Sequence, residues 1–133
     1  MTDWKERIKQ KKSEYEGKKD EIDFKGFKDQ VMPLLENVVE EYRTPMDRLY
    51  PQVWGTQPNS LTFGISLDKV FQLHFTYEQI GGQEYIQINK WVVDPKFHRQ
   101  VSVMVKQFIK VPLINVIEEI ILNFLDEYHK SKT

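Results

Sequence analysis

The side chains suited to acid–base, metal or nucleophilic chemistry are scattered along this chain. Its three histidines are His74, His98 and His129, of the residue type that exchanges protons near neutral pH and most commonly ligates metals. They fall in a strand-like run, at the start of the segment 95–110 and near the C-terminal end, without the HExxH or comparable spacing of a metal site. Paired carboxylates occur as Glu40 with Glu41, Glu118 with Glu119 and Asp126 with Glu127. Neighbours on a helix point about 100° apart, so none of these pairs converges on one substrate atom. Each stands opposite an apolar stripe, as solvated surface does. The chain has no cysteine, which excludes thiolate nucleophiles, thiolate zinc sites and disulfide staples, and no serine sits in a GxSxG elbow. Gly81 and Gly82 lack the spacings of phosphate loops and join two strand-like runs, where a hairpin turn is expected. The balance of these residues points to a non-enzymatic protein, with neither metal nor cofactor.

Binding chemistry has three candidate locations. In VFQLHFTYEQIGGQEYIQINKW, residues 70–91, every second residue from Phe71 to Tyr77 is apolar, and the residues between them are Gln72, His74 and Thr76. With the glycines as a two-residue turn, His74 falls opposite Asn89, Gln72 opposite Trp91 and Thr76 opposite Gln87. Gln72, His74, Thr76, Gln87, Asn89 and Trp91 thus form a face without full charges, cheap to dry and supplied with an aromatic anchor, as a surface for a protein partner or a second copy should be. The second location is basic. Lys96, His98, Arg99 and Lys106 could meet phosphates, as could the Lys-rich first helix with Trp4, and nucleic acid is the alternative partner they suggest. The third is a small-ligand or hydrolytic site near the 44–60 connection, where Tyr50 and Trp54 could approach His74.

The elements that must position these residues follow from periodicity. Thr2 and Asp3 can cap a first helix with Trp4, Ile8 and Tyr15 on one side, ended by Gly17. Phe24, Phe27, Val31, Leu34, Leu35, Val38, Val39 and Tyr42 recur at helical spacing from Asp23 onward, interrupted by Pro33, which should kink or split the helix. The proline-rich stretch 44–60 reads as a long connection anchored by Trp54. An antiparallel meander then runs over about 61–67, 70–80 and 83–93, with Leu61, Phe63, Ile65 and Leu67 on the same face as Phe71, Leu73, Phe75 and Tyr77. Lys90 falls on that apolar face and is expected toward the sheet edge, where it can reach water.

The segment 95–110 carries two patterns. Val101, Val103 and Val105 alternate like a strand, whereas Phe97, Val101, Met104, Val105 and Phe108 make a helical stripe. Gln107 breaks the alternation, which favours helix, with Asp94 and Pro95 as its start. From Pro112 a last helix lines up Leu113, Val116, Ile117, Ile120, Ile121, Phe124 and Tyr128. Three strands cannot bury their own inner face, so the expectation is an α+β domain with N-terminal and C-terminal helices packed on it.

At 133 residues, 40% hydrophobic, residues 1–133 fit one globular domain. The formal net charge of -1 gives no global attraction to nucleic acid or membrane, but the layout is uneven. Residues 90–110 carry five Lys or Arg against one acid, whereas 51–89 carry four charges in all. No apolar run is long enough to span a bilayer or serve as a signal peptide. A soluble cytoplasmic protein, without membrane association, is expected.

Overall fold

The computed structural model describes residues 3–16, 22–94 and 96–132. Thr2, Gly17 and Pro95, read above as cap, helix end and first helical residue, lie outside the described residues. The elements are α1 (Trp4–Glu16), α2 (Phe24–Tyr42), β1 (Gln52–Trp54), β2 (Thr62–Ser66), β3 (Gln72–Ile80), β4 (Gln83–Asp94), β5 (Arg99–Phe108) and α3 (Ile114–Ser131). The strands form one sheet in the order β1-β2-β3-β4-β5, every neighbouring pair antiparallel. The class is α+β, as expected.

The central register follows from parity and turn chemistry. Gly81 and Gly82 take φ of 58° and 80°, the left-handed region that a two-residue primed turn demands, and they set Ile80 against Gln83, Phe75 against Ile88 and His74 against Asn89. At the other end, Asp68 Oδ1 accepts the N–H groups of Val70 and Phe71, both at 2.8 Å, closing the β2–β3 turn. Phe63, Leu73, Phe75, Ile86 and Ile88 are completely buried on the inner face. Above them α2 brings Phe27, Val31 and Leu35, and α3 brings Ile117, Ile121 and Phe124. The Phe63 and Phe75 rings stack at 5.0 Å across β2 and β3. Leu61, expected on this face, precedes β2 and is exposed. Asp23 caps α2 by accepting the Gly26 N–H at 3.0 Å, and the helix runs through Pro33 without being split.

Two clamps hold the ends of the sheet. Glu84 accepts the Tyr77 hydroxyl through one carboxylate oxygen and the Ile22 N–H at 3.0 Å through the other, which fixes the chain just before α2. At the opposite end, Lys132 Nζ reaches Asp68 Oδ2 at 3.0 Å and ties the end of α3 to the β2–β3 turn.

The expected three-stranded meander is a five-stranded sheet. The segment expected as a helix over 95–110 is not one in its described residues: Arg99–Phe108 is strand β5, paired with β4 from Asp94↔Arg99 to Ile86↔Phe108. A bulge accounts for the broken alternation. Asn89 pairs with Met104 and Ile88 with Lys106, leaving Val105 as an extra residue. Beyond it the parity reverses, so Gln107 turns outward beside Gln87 and Phe108 inward beside Ile86. With β5 in place, β4 is an interior strand and Lys90 is not at the sheet edge; its ammonium pairs with Glu127 of α3. The fifth strand, β1, lies in the proline-rich connection and sets Trp54 against Gly64.

Candidate functional site

On the outer face, one row of paired residues crosses all five strands: Trp54, Gly64, His74, Asn89 and Met104. Beside it runs Gln52, Ser66, Gln72, Trp91 and Ser102. Gly64 makes the first row possible. A Cβ there would stand 2.6 Å from Trp54 Cζ2 and 2.1 Å from the Leu73 carbonyl oxygen, so only glycine lets the indole lie down on the sheet. Trp54 consequently reaches His74, ring to ring at 4.5 Å and edge-on, while Trp91 approaches the imidazole from the other side at 5.5 Å.

Several polar groups of this face are bonded to one another. His74 Nε2 shares a hydrogen bond of 2.8 Å with Gln72 Oε1, and the Thr62 and Thr76 hydroxyls meet at 3.1 Å. The Gln87 amide, turned so that its nitrogen faces Glu78, donates to that carboxylate at 2.8 Å. Burial between the indoles pushes the His74 imidazole down to about 4, because the charged ring would lose its hydration there. His74 is therefore neutral near pH 7. Trp54 Nε1 is buried with no hydrogen-bond partner among the described residues, an uncompensated donor beneath the cluster.

All six residues expected on the outer face are there, in the expected register. His74 bonds to an amide and not to a carboxylate, so no base–orienter pair is assembled. Among the described residues no three His, Asp or Glu side chains gather as metal ligands do. Of the third candidate location, Trp54 does join His74, whereas Tyr50 sits in a turn and donates its backbone N–H to Asp47.

The basic residues are not brought together. Lys96 and Arg99 flank the Phe97 ring at 5.5 and 5.3 Å at the β4–β5 turn, where His98 has φ 51°. Lys106 rests on Phe108 at 5.8 Å, seven residues from Arg99 along an extended strand, or about 23 Å away.

The sequence places Trp91 on the outer face and Trp54 near His74 as a separate location, but does not bring the two indoles into one cluster. The available signal was Gly64 in the interior of a strand, a position that often marks a close approach from outside. Comparison of the chain with protein families, with curated proteins and with solved structures finds no match.

Proposed function

We propose that this is a small, non-enzymatic module that binds a protein partner, or a second copy of itself, through the outer face of its sheet. The reading rests on one observation: Trp54, His74 and Trp91 form an aromatic cluster on that face. Close to it the Gln72 amide and the Thr62 and Thr76 hydroxyls are neutral, and each is already hydrogen-bonded to a neighbour. The cluster and these neighbours lose little on drying, since none of them carries a full charge, and the two indoles supply rigid contact area at low entropic cost; the Glu78 carboxylate is already bonded to the Gln87 amide. A catalytic reading would need a paired base or nucleophile, and His74 has an amide partner and a depressed pKa. The absence of cysteine suits a reducing compartment such as the cytoplasm.

Trp91→Ala and His74→Ala test the reading. The wild-type protein should sediment as a dimer or retain a defined partner through purification, and either variant should lose that species while keeping the secondary structure of the wild type. An unchanged mass and an unchanged set of partners in folded variants would end it.

A further inference from the structure

The last strand of the sheet offers a second surface. β5 is ten residues long and, among the described residues, has a neighbour on one side alone, so alternate N–H and C=O groups point outward along this edge, in the arrangement onto which an extended peptide can add. The helices cover its side chains only in part: Val103 is 42% exposed, Met104 54% and Val105 38%. Beside it, between β5 and α3, runs a groove of about 580 Å³ whose lining includes Phe71, Val92 and Val103.

The charge on this edge selects among possible occupants. Residues 96–110 contain Lys96, Arg99, Lys106 and Lys110 and no acid. A second copy adding its own β5 would bring Arg99 and Lys106 of each chain near those of the other, and like charges across a strand pair are destabilising. An acidic segment meets the opposite situation. We propose that the free edge of β5 takes up an extended acidic segment of a partner protein as a sixth strand. Its carboxylates lie near Arg99 and Lys106, and its β-branched residues extend the apolar strip of Val103 and Val105. This surface is separate from the outer-face cluster and does not depend on it.

Two synthetic ten-residue peptides of alternating threonine and valine provide the test, one with a glutamate near each end and the other with lysines there. Binding to the full chain is measured by titration, and amide exchange over residues 99–108 reports whether β5 is the place. The glutamate peptide should protect β5 amides and bind about tenfold more tightly than the lysine peptide, the scale expected of two exposed charge pairs. The double variant Arg99→Glu, Lys106→Glu should reverse that preference, with exchange over β2–β4 confirming its fold; should it not fold, the two peptides on the wild type decide alone. Failure of both peptides to protect β5, or equal affinity for the two, overturns the proposal. So does a β5 edge already protected in a concentration-dependent dimer. Tighter binding of a DNA oligonucleotide at β5, with affinity falling steeply as salt rises, overturns it in favour of nucleic acid.

Discussion

β3 and β5 are both long strands with apolar residues at alternating positions, yet their fates differ. Leu73 and Phe75 of β3 are completely buried, whereas Val103 and Val105 of β5 remain open to solvent. Helix width explains the difference. A helix is about 10 Å across and strands lie about 4.8 Å apart, so the two helices packed on the inner face cover about four strands. α2 lies against β1 and β2, α3 supplies the cover over Leu73 and Lys90 and reaches Val105, and β5 is covered only in part. Burial here is set by the supply of helices and not by how apolar a strand is.

Substitutions should reproduce that contrast. Phe75→Ala removes one ring of the Phe63 stack from a sealed site and should cost about 3–5 kcal/mol in urea denaturation; a loss below about 1 kcal/mol would mean that the centre of the sheet is no better packed than its edge. Gly64→Ala should cost about 1–3 kcal/mol by the same measurement, since the new methyl meets a backbone carbonyl and the Trp54 ring. The third prediction concerns pH. Burial favours neutral His74 in the folded chain, while the unfolded chain takes up a proton below about 6.5. Stability from this residue is therefore complete above that pH and is lost as pH falls toward about 4. Allowing for the solvent that reaches the ring, the loss is about 1–2 kcal/mol, and it should be seen in the wild type and be missing from His74→Gln. Val103→Thr should change stability by no more than about 0.5 kcal/mol; a core-sized loss would show that β5 is covered in solution.

The legible part of the fold was the part governed by local rules. Two glycines and strict alternation sufficed for the β2–β4 register and for the six outer-face residues, because a slip by one residue would turn every apolar side chain to the wrong face. β5 was read as helix because its alternation fails at Gln107, and a single extra residue at Val105 produces that failure. A bulge leaves a trace in sequence that resembles the loss of a strand. β1 escaped notice for another reason. Three residues among prolines have no period to detect, and they are a strand because β2 offers them an edge. Trp54 arrived at the outer face through that pairing, so one of the three rings of the cluster depends on tertiary contact.

The two clamps also sit at opposite ends of the sheet. Ile22 is held at the glycine-turn end by Glu84, and Lys132 is held beside the Asp68 turn at the other end. The nine residues of β3 separate them by about 27 Å. A donor dye at position 22 and an acceptor at 132 would thus sit within energy-transfer range, with the sheet as a ruler between them. Release of either clamp would register as a change in transfer even while the core stayed folded.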